Sequence, residues 1–361
     1  MVDAHPVHRV LIVRLGALGD IVHAIPVAAA LRHAFPDARI DWLVSAKHRE
    51  ILDLVPVIDR RLAIDDRAGA GDGTRMLAAI RELRRTHYDV ALDLQGLLKS
   101  AVLARSAGAR RVVGFSSRLV RERLARVFYT EAHDPVGVPH IVHQNLALLD
   151  RLGLTAIVPE FPIEQVVSDI ARQVREATGG CYALLNPGAA WPNKRWPPSR
   201  FAAVAAALAS QHRIASVVVW GPGEQSLAED VVAAAGAAAM LSPPTSIADL
   251  VALARGAALM VSGDTGPTHV AAAVGTPIVG IYGPTRPSRS SAGRCPSGSR
   301  LPRLRRRKHA LCRQEAPVVR RGTGNAGVLQ WGDRRAPPTS CHRGRPVHRV
   351  KPYEAHSSGR L

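Results

Sequence analysis

The segment RLGALGDIVHAIP, residues 14–26, follows the apolar run VLIV (10–13) and turns tightly around Gly16 and Gly19. A helix-like pattern comes next. Strand, glycine turn and helix N-terminus, in that order, open a parallel α/β unit, and phosphate-cradling loops begin the same way. Asp20 stands out: a carboxylate occupies the place where a bound anion would be expected. It is either a helix N-cap, worth about 1 kcal/mol, or a group with chemistry of its own.

After this segment the pattern repeats. IDWLV (40–44), YDVALDL (88–94) and RVVGF (111–115) read as strands, and 21–34, 75–86 and 97–106 carry helical periodicity. Residues 140–152 read as a last helix and GLTAIVPEFPIE as a linker. A second series then starts with YALLNPG (182–188), where Pro197 and Pro198 can open the next helix. IASVVVWGPG (214–223), ALMVSGDTGPTHVAAAVG (258–275) and PIVGIYGPT (277–285) repeat the strand-to-glycine design. The expectation is α/β: two doubly wound, Rossmann-like domains, residues 1–155 and 156–285, facing a cleft beyond the carboxyl ends of their strands.

Apolar residues make up 47% of the 361-residue chain and aromatics 4%. The longest apolar candidate, Val270 to Tyr282, is broken by Gly275, Pro277 and Gly280, so no bilayer-spanning helix is expected. The N-terminus lacks the order of a signal peptide, and the expectation is a cytoplasmic protein. The net charge of +19 suggests nucleic acid until it is located. Of 48 Lys and Arg residues, 19 lie from Arg286 onward, against only Glu315, Asp333 and Glu354. Cys295, Cys312 and Cys341 lie there too, leaving Cys181 in the body and no disulfide framework or thiolate metal site. Residues 286–361 form a basic, low-order tail with no sustained period. An anion-binding tail and a disordered extension are two readings of it. The abruptness of the break, inside a domain, favours a third: out-of-frame translation after a frameshift. That reading requires another reading frame to encode βα-patterned sequence.

The chemistry concentrates at strand ends. SGDTGPTH (262–269) follows a strand and precedes an alanine-rich helix, whose N-terminus attracts phosphate. Thr265 and Gly266 let the backbone approach a ligand, Asp264 can accept bonds from sugar hydroxyls, and His269 lies one turn in. NPGAAWPNKRWPP (186–198) places Lys194 on a loop that can meet a diphosphate, and Glu224, after WGPG, can hold a ribose hydroxyl. There is no D-x-D signature at a strand end and no convincing His/Cys/Asp set; His140 and His143 suit packing better. Lys194, helix N-termini and His269 would then neutralise a leaving diphosphate without a metal or other cofactor.

Taken together, RLGALGDIVHAIP, LDLQGLLKSA, NPGAAWPNKRWP, WGPGE and SGDTGPTHVAAAVGTPIVGIYGPT resemble the heptosyltransferases of glycosyltransferase family 9 over residues 8–285. LDLQGLLKSA and FYT resemble its heptosyltransferase I branch most. The resemblance implies a GT-B fold and inverting transfer of L-glycero-D-manno-heptose from ADP-L-glycero-β-D-manno-heptose to the Kdo sugar of Kdo–lipid A. It also implies peripheral contact with the cytoplasmic face of the inner membrane. On matching positions Asp20 becomes the catalytic base. Ala189, Ala190, Lys194, Glu224, Thr245, Asp264, Thr265, Gly266 and His269 become the donor site. Gly19, Lys99, Arg118, Arg121 and Arg123 fall on the acceptor side. Rival expectations are another GT-B enzyme with a different donor or acceptor, and an impaired nucleotide-sugar-binding remnant lacking the family's last βα units. A nucleic-acid-binding protein ranks below both.

Overall fold

A computed structural model describes residues 7–65, 73–282 and 319–320. The first half is a six-stranded parallel sheet made of β1 (Arg9–Val13), β2 (Arg39–Ser45), β3 (Arg60–Ile64), β4 (Val90–Asp93), β5 (Arg111–Phe115) and β6 (Glu131–His133), in the order β3-β2-β1-β4-β5-β6. Its helices are α1 (Leu18–Val22), α2 (Ile25–Ala34), α3 (Arg49–Asp53), α4 (Gly73–Thr86), α5 (Leu98–Ser106) and α6 (Ile141–Ala147). Central β1 pairs Val10 with Ile40 on one side and Val90 on the other. Val10 to Val13 are completely buried, which is why this strand reads as an unbroken apolar run.

The second half repeats the design. Its helices are α7 (Asp169–Ala177), α8 (Pro198–His212), α9 (Gln225–Ala235), α10 (Ile247–Gly256) and α11 (Gly266–Ala273). They flank β7 (Tyr182–Asn186), β8 (Ala215–Val218), β9 (Ala239–Leu241), β10 (Leu259–Gly263), β11 (Ile278–Tyr282) and β12 (Val319–Arg320), in the order β12-β11-β10-β7-β8-β9. All pairings are parallel.

Three sequence expectations change. Edge strands β3, β6 and β9 escaped the reading, because β3 is Arg-rich with only Ile64 buried and the others have three residues each. The helix expected over 21–34 is two helices, with Pro26 in the first turn of α2. Asp20 lies inside α1 and is not its N-cap; Ala17 holds that place without a side-chain bond. The reading of 286–361 falls outside the described residues, apart from β12, which pairs Val319 with Ile281 and Arg320 with Tyr282. Two residues are too few to show a period.

The halves meet where α1 packs on α11 and α3 on α10. Leu250, Val251 and Val270 of the second half join the hydrophobic core of the first. Glu50 on α3 accepts the Ala248 N–H at 3.1 Å, adding a carboxylate to the first turn of α10.

Candidate active site

Asp20 sits on α1 at the carboxyl end of β1, between two arginines. Arg14 Nη2 is 2.8 Å from its carboxylate and Arg121 Nη2 3.0 Å. Arg14 leaves the end of β1 buried, and its other amino group donates to the Leu94 carbonyl. Burial acts most strongly on the Asp20 carboxyl and would raise it. Arg14 and Arg121 together outweigh burial and hold it below the usual aspartate range. The N-terminus of α1, a five-residue helix, contributes little beside two guanidinium groups. Arg14 itself is lowered by burial, partly offset by Asp20.

Three residues after Asp20, a line of polar groups starts at His23 and crosses to the second half. His23, the residue after α1, places Nε2 3.1 Å from Nδ1 of His269 on α11. His269 Nε2 lies 3.2 Å from Asp264 Oδ1, and Lys194 Nζ lies 3.5 Å from Asp264 Oδ2. Thr265 is the N-cap of α11, and its hydroxyl receives Asn186 Nδ2 at 3.0 Å. Ser262 and Thr268 complete this buried hydroxyl cluster. Burial, followed by the neighbouring His269, lowers His23 well below the ordinary histidine value, which favours the neutral ring.

Close approach needs glycine here. A Cβ on Gly19 would lie 2.5 Å from His269 Cδ2, and one on Gly266 would lie 3.0 Å from Leu18 Cβ. Gly188 likewise makes room for the Glu224 carboxylate, which accepts the Gly221 N–H at 3.2 Å. Glu224 is thereby set beside the loop of Ala189 and Ala190, whose Ala189 carbonyl receives Arg195 Nε at 3.1 Å.

Of the residues singled out in the sequence, Asp20, Arg121, Lys194, Asp264, Thr265 and His269 converge. Glu224, Ala189 and Ala190 form a neighbouring group, and Thr245 sits half-buried on the loop before α10. Arg118 reaches toward Asp134 (4.0 Å), while Lys99 and Arg123 are exposed on α5 and on the 3-10 turn packed against it. Gly19, expected on the acceptor side, lies on α1 of the first half and meets His269 of the second. Arg14, His23, Asn145 and Asn186 were missed. Arg14 and His23 lie inside the motif already quoted, and their polarity beside a buried strand end was the available signal. Among the described residues, no group of three or more His, Cys, Asp or Glu is arranged to hold a metal.

The family model of glycosyltransferase family 9 (heptosyltransferase) matches residues 76–315. The chain belongs to glycosyltransferase family 9. This glycosyltransferase is 29% identical over 297 residues to lipopolysaccharide heptosyltransferase 1 of Pseudomonas aeruginosa, covering 79% of this chain and 81% of the relative. It is 27% identical over 288 residues to the Escherichia coli K12 protein of that name, covering 77% and 89%. The E. coli heptosyltransferase WaaC with ADP superposes with a TM-score of 0.64 at 27% identity, over 77% of this chain and 88% of that one. The fold is therefore GT-B. The match runs to residue 315, beyond the last motif that carried the resemblance.

Proposed function

We propose that this glycosyltransferase moves L-glycero-D-manno-heptose from ADP-heptose to the Kdo sugar of Kdo–lipid A, with inversion. Asp20 on the first half and the line from His23 through His269 to Asp264 and Lys194 on the second carry the reading, because together they set a carboxylate base on one wall of the cleft opposite a cation beside a helix N-terminus. The relatives' names and the solved E. coli WaaC complex with ADP-2-deoxy-2-fluoro heptose, 26% identical, support the donor. The acceptor hydroxyl attacks the anomeric carbon as the bond to the β-phosphate breaks. Asp20 takes the proton, a role that contributes roughly 10²–10⁴-fold. Lys194, His269 and the α11 N-terminus receive the charge growing on ADP, so this reading needs no metal.

On the acceptor side, Lys99, Arg105, Arg110, Arg111, Arg118, Arg121, Arg123 and Arg126 stand against one acid, Glu122, between residues 98 and 127. Leu98, Val102, Leu119, Leu124, Val127 and Val136 are exposed on the same α5 and 116–136 region. Such a mixture of cations and apolar side chains suits an anionic lipid-borne acceptor at the cytoplasmic face of the inner membrane. No described helix is long and apolar enough to cross a membrane.

Mass spectrometry of Kdo–lipid A incubated with the protein and ADP-heptose tests the reading. One added heptose is expected, and Asp20→Asn should lose transfer while still binding donor. Absence of product from well-folded protein would reject the substrate pair. Lost donor binding in the variant would reject the base.

A further inference from the structure

The His23–His269 contact joins the two halves at the site, and its chemistry restricts both rings. The rings meet edge to face with centroids 4.2 Å apart. His269 Nε2 faces the Asp264 carboxylate, an acceptor, and therefore carries a proton. In the tautomer with a bare Nδ1, His269 receives a proton from His23 Nε2 at 3.1 Å. That leaves His23 Nδ1 bare, and this buried atom has no partner among the described residues. An unpartnered acceptor is tolerated there more easily than the orphaned N–H of the other tautomer or of a charged ring. The His23 backbone is held as well, its carbonyl accepting Asn145 Nδ2 at 3.1 Å.

We propose that His23 is a positioning residue: the proton it donates across the cleft locks His269 in the tautomer that presents Nε2–H to Asp264. Asp264 is then oriented with its other oxygen toward Lys194, and this donor-side arrangement is complete only when the two halves are together. His23 acts through His269 and touches neither Asp264 nor Lys194 in this arrangement. The activity part of the test rests on the heptosyl-transfer reading; the tautomer part does not.

Long-range ¹H–¹⁵N spectra of imidazole-labelled wild-type protein read the tautomers directly. The expected result is a protonated Nε2 and an unprotonated Nδ1 on both His23 and His269. A proton on His269 Nδ1 overturns the proposal. In transfer assays, His23→Phe keeps the ring shape without the donor, and kcat should fall about 10–100-fold, the range for groups that orient a site residue through a hydrogen bond. The KM for ADP-heptose should change little. His23→Gln, which restores an N–H donor, should recover most of the loss. Equal losses in the two folded variants, or an unchanged kcat in His23→Phe, would overturn it. Should wild type transfer nothing, the functional reading falls, while the nitrogen resonances still judge this one.

Discussion

At Asp20 burial and charge oppose each other. Burial favours the neutral acid, and the guanidinium groups of Arg14 and Arg121 favour the carboxylate and prevail. A base must be ionised to accept a proton, so on the proposed reading this carboxylate works above its lowered pKa and stops once pH falls through it. Removing Arg121 withdraws one of the two stabilising cations and raises that pKa. Arg121→Met should therefore begin to lose kcat/KM at a higher pH than wild type; an acid limb that stays in place would leave Arg14 in sole control. Lys194 Nζ lies 3.5 Å from the Asp264 carboxylate, on the donor side of the proposed reading. Lys194→Gln should lower transfer, whereas excess chelator should leave wild-type activity unchanged. Inhibition by chelator that added divalent cation reverses would end the metal-free mechanism.

At the scale of elements, two turns carry the first half of the site. The one after β4 is organised by buried Asp93, which accepts the N–H groups of Gln95 (2.9 Å) and Gly96 (3.2 Å) and the hydroxyls of Ser100 (2.9 Å) and Tyr129 (2.7 Å). Gln95 in turn accepts the Leu15 N–H at 3.0 Å, tying this turn to the one that carries Asp20. Tyr129→Phe removes one donor from a buried carboxyl and should cost about 1–3 kcal/mol in denaturant unfolding. The other turn leads into α1, where Gly19 meets His269. Within a helix, alanine is better than glycine by roughly 0.5–1 kcal/mol, so Gly19→Ala should not weaken α1 itself. Its methyl group would instead wedge the halves apart, and transfer should fall while the melting temperature of the protein holds. Parallel loss of both would show that the contact matters to folding and not specifically to the cleft.

At the scale of the molecule, the fold brings a basic, partly apolar first half against a second half that carries Lys194 and the α11 N-terminus, the donor half on the proposed reading. Leu124→Ser with Val127→Ser should slow transfer to Kdo–lipid A in anionic vesicles and leave a deacylated acceptor unaffected. Equal effects on both acceptors would place these side chains in sugar recognition. The alternation of VLIV, IDWLV, YDVALDL and RVVGF with helical stretches was enough to specify the parallel α/β sheet of the first half, because strands buried on both faces must be apolar throughout. The glycine turns likewise marked Asp20, Asp264 and Lys194 at strand ends, since such turns are local in the chain. Edge strands β3, β6 and β9 carry too few buried residues to leave that signature. What cleft geometry alone decided is the pairing of distant groups: Arg121 with Asp20 across 101 positions, and His23 with His269 across 246. Burial and neighbouring charge set the protonation of such groups, and both exist only after the sheets and the two halves have packed.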